Sequence, residues 1–97
     1  MPAYVLAQGR VQDQEKLNQY LSGAGATLAP HNAKVLVFTE TPEVIEGEVI
    51  NNRVVLIEFA DIDTAKAWYN SPEYEAIRGL RIEAAPGTLV LLQGMNG

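Results

Sequence analysis

The stretch from Arg53 to Arg81 (RVVLIEFADIDTAKAWYNSPEYEAIRGLR) constrains the fold more than any other part of the chain. Its first residues form an apolar run that only Glu58 interrupts, and such a run is typical of a strand covered on both faces. A helix is predicted next, because Asp61 can cap its first amides. Ser71-Pro72 then ends that helix and begins another, since proline disfavours helical backbone before it and is tolerated at a first helical position. The stretch therefore predicts a strand followed by two short helices.

The rest of the chain predicts three more strands and one longer helix. The strands are Ala3–Val11, Lys34–Thr39 and Thr88–Gln93, and the helix runs from about Gln14 to Leu28 behind a cap at Asp13. The resulting order is β-α-β-β-α-β, with the second helix split. This order predicts an α+β, ferredoxin-like antiparallel sheet in a single domain of 97 residues.

The connection from Thr41 to Asn52 is too apolar for a plain loop. It also carries several glutamates, and Gly47 stands near its middle. We expect a hairpin arm with its turn at Gly47. The apolar residues behind this expectation are Val44, Ile45, Val49 and Ile50.

One face of the predicted sheet lacks a cover. Right-handed crossovers place both helices on the same side of the sheet. The other face would be left bare, yet the strands lack the polar alternation that a solvated face needs. A large apolar patch marks an interface, and a second copy related by two-fold symmetry is the simplest cover. We therefore predict a homodimer that a charge at Leu91 (Leu91→Asp) would break or unfold.

Composition narrows the function classes. The absence of cysteine excludes disulfides and thiolate chemistry, and the net charge of −5 argues against nucleic acid as a partner. No segment has the pattern of a signal peptide or a membrane span, so a cytoplasmic protein is predicted. A multi-histidine metal site is excluded because His31 is the only histidine. No metal or cofactor is predicted.

The run Ala67–Tyr74 (AWYNSPEY) is the most specific of several short motifs in the chain. Together these motifs resemble the DUF1330 family, a branch of the dimeric α+β barrel superfamily. A Gly-Gly pair that is usual in the family is replaced here by Asn32-Ala33. The resemblance implies a barrel-like dimer but does not imply a particular chemistry. The other matching pieces are Ala3-Tyr4-Val5, Ile45-Glu46-Gly47, Arg53, Ile57-Glu58-Phe59, Arg81 and Gly94.

Six residues are candidates for a small-molecule pocket between sheet and helices, because they place polar or aromatic groups in apolar surroundings. Each also has a structural alternative: the aromatic residues as core, and Arg81 as an anchor to an acidic group instead of a ligand. No catalytic residue is identified. The candidates are His31, Glu58, Trp68, Tyr69, Tyr74 and Arg81.

Glu58 is the most unusual of the six, because a carboxylate in an apolar strand needs a partner. In the predicted order the start of the second strand lies beside the end of the third. We therefore expect Glu58 to be ionised and bridged, directly or through one water, to Lys34 or His31.

Two functions remain open from the sequence. One is a dimeric barrel with a small-molecule pocket and cofactor-independent oxygenase or isomerase chemistry. The alternative is a non-catalytic binding or structural homodimer.

Overall fold

A computed structural model of the chain describes residues 1–95, and its elements follow the predicted order. The sequence predicts a tail after Gln93; it is described only as far as Met95, and its remaining residues lie outside the described part. The elements are β1 (Ala3–Gly9), α1 (Gln14–Leu28), a 3-10 turn (Ala29–His31), β2 (Lys34–Thr39), β3 (Arg53–Phe59), α2 (Ile62–Tyr69), α3 (Pro72–Ala84) and β4 (Gly87–Gln93).

The strands form one four-stranded antiparallel sheet in the order β2-β3-β1-β4. This order confirms the predicted ferredoxin-like α+β fold. Strand β1 ends two residues earlier than predicted, at Gly9, because the amides of Arg10 and Gln12 donate to the carbonyls of Pro86 and Ala84 instead. The sheet is therefore centred on β1 and β3.

Alternate residues of the central strands face different surroundings. In β3 the side chains of Arg53, Val55, Ile57 and Phe59 are buried beneath the helices, whereas the residues between them are half-buried. The same alternation runs along β1. The helices therefore cover one face of the sheet, which we call the covered face. The opposite face, called the open face, carries no helix.

The helix boundaries follow from their caps. The side chains of Asp13, Asp61 and Ser71 accept hydrogen bonds from the amides of Lys16, Thr64 and Tyr74 at 3.0, 2.7 and 3.3 Å. Ser71 is extended, with ψ of 147°, so α2 and α3 are separate helices as predicted. None of the described helices is both long and apolar enough to span a membrane.

The prediction of a hairpin arm is wrong. No strand forms between Thr41 and Asn52, although Gly47 has a positive φ of 82°, as a turn requires. A lone hairpin needs an apolar surface to pack against, and this segment lies exposed beyond the sheet. Its exposed apolar residues are Val44, Ile45, Val49 and Ile50.

Candidate functional site

A cleft of about 390 Å³ lies between α2 and the covered face of β1 and β4. Its apolar wall comes from the strands and its polar groups come from α2 and the residue that ends it. An apolar cleft with a few polar groups is the usual form of a small-molecule site. The lining residues are Val5, Leu89 and Leu91 from the strands, and Lys66, Tyr69 and Asn70 from the helix.

Leu91 therefore has a different position from the one expected. It lines the cleft on the covered face, and strand alternation turns Val90 and Leu92 to the open face. A charge at Leu91 would disturb the cleft and the fold, so it does not test an interface on the open face.

A buried hydrogen-bonded network joins three helical residues beside the sheet. The hydroxyls of Tyr20 and Tyr74 are 3.0 Å apart, and Arg81 Nε donates to the Tyr74 hydroxyl at 3.0 Å. Burial, together with the neighbouring Tyr74, raises the pKa of Tyr20 above its ordinary value. Of the two alternatives for Arg81, the anchor to an acidic group is not formed within the described residues, because its hydrogen-bond partner is a phenol.

The aromatic residues of the Ala67–Tyr74 motif mostly build the core. The ring of Trp68 packs against Tyr74 with centroids 4.1 Å apart, and its Nε1 donates to Thr27 Oγ1 at 3.0 Å. Tyr69 differs because it lines the cleft, with the Arg78 guanidinium 4.6 Å from its ring centre. The motif therefore supplies one wall residue of the cleft and anchors that wall to the core.

A smaller cavity of about 140 Å³ lies between α1, β2 and β3. Arg53 lines it and is only 3% exposed, yet its Nε has no hydrogen-bond partner within the described part of the chain. Burial lowers the pKa of Arg53, and Phe38 places its ring 5.6 Å from the guanidinium carbon. In the sequence, Arg53 stands out only as one of the residues that match the family, and Tyr20 is not among the pocket candidates. The sequence signal that could have identified Arg53 is its charge at the start of an apolar strand.

Glu58 lies away from both cavities. It belongs to the half-buried residues of β3 and faces the open side of the sheet, where its Oε2 accepts a 3.4 Å hydrogen bond from the Tyr4 hydroxyl. Lys34 pairs with Glu58 in the predicted register. Residues 1–95 contain no direct ion pair from Glu58 to Lys34 or His31, so the direct form of the expected bridge is not formed. A bridge through one water stays a prediction.

The six predicted pocket residues are consequently divided by the sheet. Trp68, Tyr69, Tyr74 and Arg81 lie on the covered face, while Glu58 lies on the open one. His31 is half-buried in the 3-10 turn and lines neither cavity. Within residues 1–95, no three histidine or acidic side chains gather as they would around a metal ion.

The fold is that of a ferredoxin-like α+β protein with a cleft between sheet and helix. The family described as a domain of unknown function, DUF1330, matches residues 2–95. The chain therefore belongs to the DUF1330 family, as its motifs indicated. No match was found among curated proteins.

Solved structures share this fold at low sequence identity. A protein of unknown function, RPA0582 from Rhodopseudomonas palustris, is 16% identical with a TM-score of 0.81, and the match covers 99% of this chain and 84% of that one. A dimeric ferredoxin-like protein of unknown function from Jannaschia sp. CCS1 is 14% identical, with a TM-score of 0.68 and coverages of 97% and 100%. SnoaB, a cofactor-independent oxygenase from Streptomyces nogalater, is 12% identical, with a TM-score of 0.64 and coverages of 99% and 94%.

Proposed function

We propose that this protein is a homodimer that binds a small, largely apolar molecule in the cleft between α2 and β1 and β4. The observation that carries this proposal is the cleft itself. Its volume of about 390 Å³ lies in the range of small-molecule sites, and three of its lining residues are aliphatic.

The polar groups of the cleft suggest how such a ligand is oriented. The Lys66 ammonium and the Asn70 amide are hydrogen-bond donors on the helical side, and the Tyr69 ring offers an aromatic surface beside them. A flat apolar molecule with a carbonyl, phenolate or carboxylate oxygen matches this arrangement. Its hydrocarbon part contacts Leu89 and Leu91, and its oxygen accepts from Lys66 or Asn70.

The open face supports the homodimer. Its middle row is formed by Val37, Leu56, Leu6 and Val90, which lie side by side across the four strands. Polar residues occur at the two ends of the face, as in an interface with an apolar centre and a polar rim. A second copy covers this face by two-fold symmetry, and the Jannaschia protein of the same fold is described as dimeric.

The cleft is tested with the apolar anionic dye 8-anilinonaphthalene-1-sulfonate as the probe. Leu89→Trp fills the cleft and is expected to abolish most of the dye fluorescence. The control Ala67→Trp places the same ring on an exposed position of α2 and leaves dye binding unchanged. Lys66→Met weakens binding severalfold because it removes the cation facing the sulfonate. Equal dye binding by Leu89→Trp and wild type contradicts the proposal.

The dimer is tested by Leu56→Asp, which places a charge in the middle row of the open face. Sedimentation equilibrium is expected to give a dimer for the wild type and a folded monomer for the variant. The control is Ile82→Asp, which puts the same charge on an exposed apolar position of α3 and leaves the dimer intact. A monomeric wild type at micromolar concentration, or a dimeric Leu56→Asp, contradicts the assembly.

Oxygenation of the bound molecule is a second candidate function. It is favoured by the shared fold with SnoaB, which is described as a cofactor-independent oxygenase. The test follows dissolved oxygen in the presence of an electron-rich polycyclic phenol, with Leu89→Trp as the control. Oxygen uptake above the phenol's own autoxidation in wild type but not in Leu89→Trp supports oxygenation. Binding of the phenol without such uptake supports the non-catalytic alternative.

A further inference from the structure

We propose that the cavity between α1, β2 and β3 is a second ligand site, which takes a short-chain carboxylate with its head group on Arg53 and its carbon chain among apolar side chains. This site is separate from the cleft, which α2, β1 and β4 form. The proposal rests on the surroundings of Arg53, on the lining of the cavity and on its size.

Arg53 is a buried cation that lacks a counter-charge in contact. Only 3% of the residue is exposed, its Nε has no hydrogen-bond partner, and no described acidic side chain forms an ion pair with it. Glu40, which directly follows β2, acts on Arg53 only at longer range. A buried charge without a partner is costly. A carboxylate relieves that cost, because its two oxygens match the fork of N–H groups on a guanidinium.

A second buried cation strengthens the preference for an anion. Arg81 is 7% exposed and its Nε donates to Tyr74, whose hydroxyl is 3.0 Å from that of Tyr20. Tyr20 lines the cavity together with Arg53. Arg53 and Tyr20 therefore stand on the cavity wall, and the Arg81 guanidinium lies behind Tyr20, linked to it through Tyr74. A ligand oxygen beside Arg53 and Tyr20 meets one guanidinium directly and a second one at longer range.

The rest of the cavity is apolar and small. A volume of about 140 Å³ corresponds to about five water-sized groups, at roughly 30 Å³ for each. A carboxylate with three or four carbon atoms has this size, whereas a bulky or highly charged anion does not suit the walls. The apolar wall of the cavity includes Leu21, Ala24, Leu28, Val55, Ile57 and the predicted pocket residue Trp68.

The probe for this site is sodium butyrate, compared with sodium chloride, n-butanol and inorganic phosphate at equal ionic strength. Butyrate is expected to raise the Tm of the wild type progressively with concentration, since a ligand that binds only the folded state stabilises it. It should also shift the NMR resonance of the Arg53 Nε–H. Butanol lacks the charge and phosphate lacks the chain, so each gives a smaller shift.

Two variants and two controls locate the effect. Arg53→Met keeps the side-chain length without the charge, folds without the buried cation, and loses the Tm response. Ala24→Leu fills the cavity from α1 and also loses it, which keeps the test valid if Arg53→Met does not fold. Arg10→Met removes an exposed arginine and keeps the full response. Leu89→Trp keeps it as well, so failure of the cleft and failure of this site are distinguishable.

Three results overturn the proposal. An equal butyrate response in Ala24→Leu and in Arg10→Met shows that the anion binds elsewhere. A butanol response as large as that of butyrate shows that the charge of Arg53 is not used. A phosphate response of the same size shows that the apolar walls make no contribution, and the assignment to a carboxylate is then wrong.

Discussion

The two faces of the sheet are built from the same strands but differ in how their polar groups are partnered. On the covered face, Tyr74 contacts both Tyr20 and Arg81, and Trp68 donates to Thr27, all at 3.0 Å. On the open face the described side-chain link is one hydrogen bond of 3.4 Å, from Tyr4 to Glu58. One face is thus closed by the chain itself, whereas the other carries apolar side chains that the monomer leaves in water.

This difference assigns ligand binding to the covered face and dimer formation to the open face. The cleft and the smaller cavity both lie between the sheet and the helices, where side chains from remote parts of the chain surround them. The open face has an apolar middle row, and neither of these two cavities lies on it. We therefore expect substitutions on the covered face to change the stability of the monomer and ligand binding, and those on the open face to change the dimer.

The largest expected effect comes from Trp68→Ala on the covered face. Trp68 is 1% exposed and contacts Phe59, Tyr69 and Tyr74. Removing such a buried ring destabilises a fold by about 3–5 kcal/mol. Urea unfolding at a fixed protein concentration measures this loss.

Leu92→Ala on the open face is the matched comparison, since Leu92 is 42% exposed in the monomer. We expect a much smaller loss for it in the monomeric Leu56→Asp background. If Leu92→Ala and Trp68→Ala lowered the free energy of unfolding by similar amounts in that background, the two faces would not differ in how much they stabilise the monomer.

An intermediate effect is expected from Tyr20→Phe, which removes one hydroxyl of the buried network. At neutral pH the loss is about 1 kcal/mol, the usual worth of a hydrogen bond. Because the pKa of Tyr20 is raised above its ordinary value of 10.0, the folded state favours the neutral phenol. The stabilisation of the folded state that results is complete below pH 10.0, and it is lost as the pH rises towards the raised pKa of Tyr20.

The measurement compares the free energy of unfolding of the two proteins from neutral pH to about pH 11. The wild type should lose stability more steeply than Tyr20→Phe above the ordinary tyrosine pKa, because only its unfolded state ionises at this position. Parallel curves would show that Tyr20 titrates equally in both states, and the network would then not be closed to water.

Local signals in the sequence were sufficient for much of the fold. The predicted bounds of α1 and β2 agree with the structure, because a cap at Asp13 and a turn at Pro30 mark them. Ser71-Pro72 divides α2 from α3 for the same kind of local reason. A continuous apolar strand, however, does not show which of its alternate residues faces the helices. For that reason Glu58 was expected in the pocket and Leu91 on the bare face, whereas the structure places Glu58 on the open face and Leu91 on the covered one.

The candidate site was less predictable than the fold because it depends on distant parts of the chain. The Ala67–Tyr74 motif identified Tyr69, but its wall partners in the cleft come from β1 and β4. Burial of Arg53 likewise depends on α1, which precedes it by more than 20 residues. Strand and helix patterns report on local structure, and neither pattern records which side chains meet after the sheet closes.

The smallest expected effect is that of Tyr4→Phe, which makes the same chemical change on the open face as Tyr20→Phe makes on the covered one. The hydrogen bond to Glu58 is long and partly buried. In the monomeric Leu56→Asp background we therefore expect a loss below about 0.5 kcal/mol, at the lower limit for such bonds. Urea unfolding of the single and double variants measures it.

In the dimer we expect Tyr4→Phe to cause a larger loss of stability than in the monomer. A second copy over the open face removes water from Glu58, so the carboxylate then depends more on the Tyr4 hydroxyl. We expect Tyr4→Phe to weaken dimerisation by a few-fold in sedimentation equilibrium, and Glu58→Gln to reduce that difference because a neutral amide is less costly to bury. If Tyr4→Phe destabilises the monomer as much as Tyr20→Phe does, the hydrogen bond between Tyr4 and Glu58 is already shielded from water in one chain, which contradicts an open face.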